Sequence, residues 1–189
     1  MQKLKSNKII SKSILLLLII WGSASFFLFS SFPLIKWAVV LISLLAVYLV
    51  LASVGELLLL FLINFTTTYA FYGLLFSYNL PVWFIMIGII AVSAVTFILL
   101  SGKILTESSR FVLMVMFYVI SMIELYLTLS YWLVNPLTRS LIMSVFVYIF
   151  VGFLSSIKGN IFVGRSFRTY LFFAILVMIM LLFTMSWGS

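Results

Sequence analysis

The chain has 189 residues, of which 66% are hydrophobic and 7% charged, with a formal net charge of +8. Soluble domains are about 45–50% apolar and about 25% charged, so the composition indicates one integral membrane domain over residues 1–189 and excludes a folded soluble one. The sequence contains no Cys, His or Asp. This rules out disulfides, Cys/His metal sites and His- or Cys-based nucleophilic dyads, and we expect no cofactor.

The positive charge does not indicate nucleic-acid binding, because the basic residues occur in short segments beside apolar runs. Basic segments in such positions determine topology, and they contact anionic lipid headgroups as a secondary consequence. The expected partners are therefore the lipid bilayer and its anionic headgroups.

The first predicted span covers residues 13–32, after a lysine-rich segment that ends at Lys12. A basic start followed by apolar residues is also typical of a signal peptide, and the small residues 23–25 resemble a cleavage site. The apolar run continues past that site through Phe26 and Phe29. We therefore predict a membrane span with the amino end in the cytoplasm.

Residues 37–76 are too long for one span, since 40 helical residues would extend about 60 Å, twice the hydrocarbon thickness. A turn at residues 53–56 would give spans 37–52 and 57–76. A turn at residues 64–68 is the alternative. The charge distribution favours the first, because the second would reverse the orientation of every later loop.

The remaining spans are separated by clear breaks. Residues 77–81 form a turn, with Pro81 suited to the first position of the next helix. We predict further spans over residues 82–101, 111–133, 137–157 and 169–187. The fold class is therefore an all-α transmembrane helical bundle of seven predicted spans.

Charge predicts the orientation of this bundle. With the amino end in the cytoplasm, the external segments contain only Lys36 and Arg139. The cytoplasmic segments contain the other nine basic residues, namely Lys3, Lys5, Lys8, Lys12, Lys103, Arg110, Lys158, Arg165 and Arg168. This positive-inside bias predicts a multi-pass protein of the cell membrane with an external carboxyl end.

A polar stripe in the fifth span is the candidate site. Residues 111–133 are apolar enough to cross a membrane, yet they carry Glu124 near their middle. Polar residues recur there at intervals of three and four, which places them on one helix face: Ser121, Glu124, Thr128, Tyr131 and Asn135. A carboxyl group at that depth is costly, so we expect it to be protonated and to face the protein interior.

The partners of Glu124 depend on tertiary packing. Neighbours on other spans that could reach it are Tyr148 in the sixth span and three residues of the third span, Asn64, Thr67 and Tyr69. One hypothesis is a protonatable group in a transport pathway. The other is a protonated acid that hydrogen-bonds a neighbouring helix and fixes the packing.

The residue inventory also bears on function. Intramembrane hydrolysis normally uses an Asp pair, a Ser–His arrangement or a metal, and the sequence lacks these residues. We therefore expect no enzyme. The first hypothesis is a non-enzymatic membrane component or scaffold, which has a membrane-protein partner or a second copy of itself. The alternative is a transporter or channel-like protein with a proton-linked site at Glu124.

Overall fold

A computed structural model describes residues 2–30, 33–101, 111–131 and 135–158, together with Phe172, Ile175 and Ile179. This part of the chain is all-helical and contains no strand. Its helices are α1 (Gln2–Phe29), α2 (Pro33–Ala52), α3 (Glu56–Tyr78), α4 (Val82–Ser101), α5 (Phe111–Tyr131) and α6 (Pro136–Lys158).

Four of the described helices are long and apolar enough to cross a membrane: α1, α3, α4 and α5. The apolar parts of α2 and α6 are shorter, Lys36–Ala52 and Pro136–Gly152, and lie at the lower limit of about 17 residues for a membrane span. The basic loops and the seventh predicted span, residues 169–187, lie outside the described residues apart from the three isolated positions. The helices identify a membrane protein built as a helical bundle.

Helix α3 lies at the centre of this bundle. Its most extensive contacts are with α6 and α1, followed by α4. Of its most apolar window, 78% is buried inside the protein, against 22–28% for α1, α4 and α5. A helix without a single apolar face is stable when other helices surround it, and α3, whose buried residues lie on all of its sides, has this character.

The buried asparagine and threonines of α3 form hydrogen bonds within the helix itself. The Thr66 and Thr67 hydroxyls donate to the carbonyls of Leu62 and Ile63, at 3.1 and 2.7 Å. The Asn64 Nδ2 donates to the Leu60 carbonyl at 2.9 Å. Such bonds to preceding carbonyls let hydroxyl and amide side chains occupy an apolar core without an interhelical partner.

The chain turns at the first of the two predicted positions. Helix α2 ends at Ala52, and both Ser53 and Gly55 adopt left-handed backbone conformations, with φ of 57° and 66°. Glycine takes this conformation without a steric cost, so Gly55 permits a tight connection to α3. Residues 64–68, the alternative turn, lie inside α3.

Small and aromatic residues set the distance between α1 and α3. A Cβ atom added to Gly22 would lie 2.7 Å from the Thr66 Oγ1 and 3.1 Å from the Thr66 carbonyl carbon. The helices therefore touch at Gly22, as small residues allow in membrane bundles. Nearer the end of α1, the rings of Phe26 and Tyr69 stack with centroids 3.7 Å apart.

Hydrogen bonds join α2 to α1 at two points. The Lys12 Nζ donates to the Leu51 carbonyl at 2.8 Å, in the last turn of α2. A cation at this position compensates the negative end of the helix dipole. At mid-length, the Ser43 hydroxyl lies 2.6 Å from the Ser23 hydroxyl.

Helix α5 lies at the edge of the bundle. It packs mainly on α4, and its contact with α6 is less extensive. Its buried face consists of Tyr118, Met122, Tyr126 and Leu129. The Tyr118 ring stacks on Phe97 of α4 at 4.5 Å between centroids, and Tyr126 packs on Tyr72 of α3 at 5.2 Å.

Candidate functional site

The polar stripe of α5 lies on the exposed side of the helix. Glu124, Thr128 and Tyr131 are exposed and Ser121 is half-buried, while Asn135 is exposed in the segment before α6. The expectation that this stripe faces the protein interior is therefore wrong for the described bundle. The physical reason is that the opposite face carries two tyrosines, Tyr118 and Tyr126, which pack on rings of α4 and α3.

Glu124 occupies the centre of a continuous exposed face of α5. Toward the start of the helix this face is apolar, with Leu113, Phe117 and Ile120 each at least 50% exposed. Toward the end it is polar, with Thr128 and Tyr131. The Glu124 carboxyl lies about 20 Å along the helix from Phe111 and about 10 Å from Tyr131, at 1.5 Å per residue. It therefore lies at a depth where lipid tails would surround an isolated bundle.

The predicted neighbours of Glu124 lie elsewhere. Asn64 is only 2% exposed and its amide donates within α3. Tyr148 is half-buried in α6, with its ring edge toward Phe61 at 6.5 Å. Thr67 and Tyr69 are buried in α3. Among the described residues no hydrogen bond joins any of them to the Glu124 side chain, so the structure does not bring the predicted set together.

Thr128 is linked to Glu124 through the backbone alone. Its hydroxyl donates to the Glu124 carbonyl oxygen at 2.8 Å. This bond satisfies the threonine locally and does not involve the Glu124 carboxyl group. Whether these residues of α5 form a functional site stays a prediction.

The described helices enclose a cluster around a buried arginine that was not predicted from the sequence. We call it the arginine cluster, and it consists of Arg139, Tyr72, Phe76, Tyr126 and Ser130. Arg139 was assigned to an external segment, but the structure buries it to 4% exposure between α3, α5 and α6. Its assignment to the external side of the membrane stays a prediction.

Aromatic rings surround the Arg139 guanidinium. Its central carbon lies 4.5 Å from the centroid of the Phe76 ring and 5.4 Å from that of Tyr72. Its Nη1 donates to the Ser130 carbonyl at 3.4 Å. The planar, weakly hydrated guanidinium stacks on aromatic faces while its long stem reaches inward, which is why arginine rather than lysine suits this position.

The local sequence explains how Arg139 reaches this place. Asn135 caps α6, since its Oδ1 accepts a hydrogen bond from the Thr138 backbone N–H at 2.8 Å. Pro136 then begins the helix, as proline does at a first helical position. Arg139 follows one turn later, beside the last turns of α3 and α5. The cluster therefore ties together the ends of three helices.

One signal in the sequence indicated this cluster. Arg139 is one of only two basic residues on the side predicted to be external, so it departs from the charge rule. Tyr72, Phe76 and Tyr126 all lie within two turns of the helix ends predicted for that side. A departure from the charge rule near several aromatic residues is the pattern from which burial could have been predicted.

A second buried polar contact lies deeper, between α3 and α5. The Tyr118 hydroxyl is completely buried and lies close to the Asn64 side chain. Its geometry does not satisfy that of a hydrogen bond, so the hydroxyl has no partner among the described residues. The Tyr126 hydroxyl is in the same situation. These groups add polarity to the interior without forming a connected network.

The described part of the chain contains no group of three acidic, histidine or cysteine side chains that could hold a metal ion. The chemistry available there consists of one buried guanidinium, several hydroxyls, the exposed carboxyl of Glu124 and the half-buried carboxyl of Glu56. Comparison of the sequence and structure with protein families, curated proteins and solved structures gives no match.

Proposed function

We propose that the chain crosses the cell membrane seven times, with its amino end in the cytoplasm and its carboxyl end outside. The support is the charge asymmetry of the sequence, with nine basic residues in the segments assigned to the cytoplasm and two outside. Trp37 and Trp83 agree with this orientation. They lie near the starts of α2 and α4, at the predicted outer side, and they are 72% and 60% exposed, as interfacial anchors are.

Cysteine labelling tests this topology without background, because the chain has no cysteine of its own. Ser77→Cys lies at the exposed end of α3 and Val54→Cys in the exposed turn before it. A membrane-impermeant maleimide should label the first on intact cells and the second only after permeabilisation. Ser189→Cys should behave like Ser77→Cys. The reverse pattern at the first two sites would overturn the orientation, and a Ser189→Cys that needs permeabilisation would overturn the count of seven.

We propose further that the protein is a non-enzymatic component of a larger membrane assembly, which it contacts through the exposed face of α5. The observation that carries this proposal is Glu124 at the centre of that face. An acidic residue at the helix centre costs about 2.5–3.5 kcal/mol on insertion scales. A neighbouring helix that hydrogen-bonds the carboxyl offsets most of this cost, whereas lipid tails offer no hydrogen-bonding group.

The occupant of this face is the transmembrane helix of a different protein, with a basic or amide side chain opposite Glu124. A second copy of this chain is a poorer fit. Of the basic residues whose side chains are described, Arg139 is buried and Lys12 and Lys36 are half-buried. A symmetric pair would also bring two carboxyl groups together, with Thr128 already bonded within its own helix.

Site-specific photocrosslinking tests this assignment. A photoreactive amino acid is placed at Thr128, with Ile98 on the exposed side of α4 as the matched control position. We expect an adduct in native membranes at position 128 but not at position 98, with a mass that differs from twice 21.6 kDa. Glu124→Leu should abolish the adduct and Glu124→Gln should retain it, since glutamine preserves the hydrogen bonding. A homodimeric mass would overturn the choice of partner, and equal adducts at both positions would overturn the interface.

The same variants separate this proposal from transport. A proton-linked transporter requires a hydrated path to Glu124, and the Glu124→Gln variant would then lose flux in proteoliposomes that contain the purified chain alone. A component that acts through lateral association should give no proton-coupled flux in that assay with either residue. Flux that depends on Glu124 would refute the proposed function.

A further inference from the structure

A groove on the outer surface of the bundle lies between α1 and α2. Its volume is about 330 Å³, at the lower end of the range for ligand sites. Large apolar side chains form its two walls, and the small Ala24 leaves space between them. The wall residues used below are Ile20, Phe27, Val40 and Leu44.

The polar groups in this groove are bonded to one another or to their own helices. The Ser23 hydroxyl donates to the Ile19 carbonyl at 2.6 Å. The Ser43 hydroxyl lies 2.6 Å from both the Ser23 oxygen and the Val39 carbonyl, and donates to one of them. The groove therefore presents apolar carbon to an occupant and no unsatisfied donor, which matches a hydrocarbon chain and not a polar solute.

A positive charge marks one end of the groove. The Lys36 ammonium lies 4.8 Å from the centroid of the Phe27 ring, and Phe27 is itself a wall residue. The next residue, Trp37, is 72% exposed, as an indole at the headgroup layer would be. An apolar groove that ends at a cation beside an interfacial tryptophan is complementary to a molecule with an acyl chain and an anionic head.

We propose that this groove binds one acyl chain of a phospholipid whose headgroup phosphate lies at the Lys36 ammonium. The length of the groove fits such an arrangement. Phe27 and Ile20 are seven residues apart, so the groove extends about 10 Å along α1. The lipid would fill the space between α1 and α2, where side-chain contact between the helices is incomplete. This site is independent of the α5 face and of any partner there.

Native mass spectrometry of the purified protein tests the site. The protein is reconstituted with an equimolar mixture of phosphatidylglycerol and phosphatidylcholine, then extracted in mild detergent. We expect one tightly retained phospholipid. Ala24→Phe fills the groove and should remove it, whereas Ala91→Phe, on the exposed side of α4, should not. Equal retention by both variants would overturn the proposal.

Replacement of the cation gives a second, independent result. Lys36→Gln should weaken retention about fivefold, the contribution of one lysine near an anionic surface, and Lys36→Arg should preserve it. A phosphatidylglycerol with a photoreactive group in its acyl chain should label the groove at Ile20 and Leu44 in preference to Leu113 of α5. Labelling distributed equally over all exposed apolar residues would show ordinary annular lipid and would refute the site.

Discussion

The substitution Arg139→Met removes the positive charge and leaves an unbranched side chain of similar length at this position. The guanidinium contacts two rings, at 4.5 and 5.4 Å, and such contacts contribute about 1 kcal/mol each when partly desolvated. The hydrogen bond to the Ser130 carbonyl is long, at 3.4 Å. The free energy lost with this bond is offset because methionine does not carry the desolvation cost of a buried charge. We therefore expect Arg139→Met to lower the free energy of unfolding by about 2 kcal/mol.

A double-mutant cycle with Phe76→Leu isolates one of these contacts. Unfolding is followed by tryptophan fluorescence as the purified protein is titrated with a denaturing detergent. The expected coupling free energy between Arg139→Met and Phe76→Leu is about 1 kcal/mol. Phe84→Leu serves as the control, because Phe84 is a 53% exposed phenylalanine near the start of α4 and contacts Trp83 instead.

The control should be additive with Arg139→Met to within about 0.3–0.5 kcal/mol. A coupling to Phe76 no larger than this value would refute the reasoning, because the buried charge would then contribute nothing through that ring. An increase in stability for Arg139→Met alone would show that the cost of desolvating the guanidinium exceeds all its contacts.

Further substitutions test the packing of the bundle. Gly22→Ala should destabilise the protein by about 1–2 kcal/mol in the same unfolding titration, because the added methyl group would overlap Thr66 and this overpacking outweighs the gain in helix propensity. An unchanged unfolding midpoint would mean that α1 and α3 are farther apart. Tyr118→Phe should be neutral or stabilising by up to about 1 kcal/mol, because the buried hydroxyl has no partner among the described residues; a loss greater than this would reveal one. Lys12→Met should cost about 0.3–1 kcal/mol through the lost bond to the Leu51 carbonyl, and added salt should narrow its difference from the unmodified chain.

The helical architecture was accessible from the sequence because its signals are local. Pro81 and Pro136 mark helix beginnings, and Gly55 marks a turn, in each case through a conformation that the residue itself favours. The choice between the turns at residues 53–56 and 64–68 was also correct, although it rested on charge. The threonines at 66–68 resembled a polar turn, yet each can bond a preceding carbonyl and remain in a buried helix.

Local signals in the sequence did not indicate which face of α5 is buried. Periodicity correctly grouped Glu124 with Thr128, but it assigns no face to the interior. The prediction that the Glu124 face is buried relied on the tendency of polar groups to avoid lipid. In the bundle, the packing of Tyr118 and Tyr126 on rings of α4 and α3 determines which face is buried. The environment of Arg139 depends likewise on rings contributed by α3, far away in the sequence, so only tertiary packing reveals it.

The central position of α3 has a consequence for how the protein is made. This helix is the least apolar of the four long spans, with a mean hydropathy of 1.6, and it depends on neighbours to cover it. One of them, α1, is synthesised before it, but α6 follows only after two more helices. During synthesis, α3 therefore has one flank unprotected until α6 arrives. A chain stopped before α6 would lack Arg139, so the Tyr72 and Phe76 rings would lose the guanidinium that covers them.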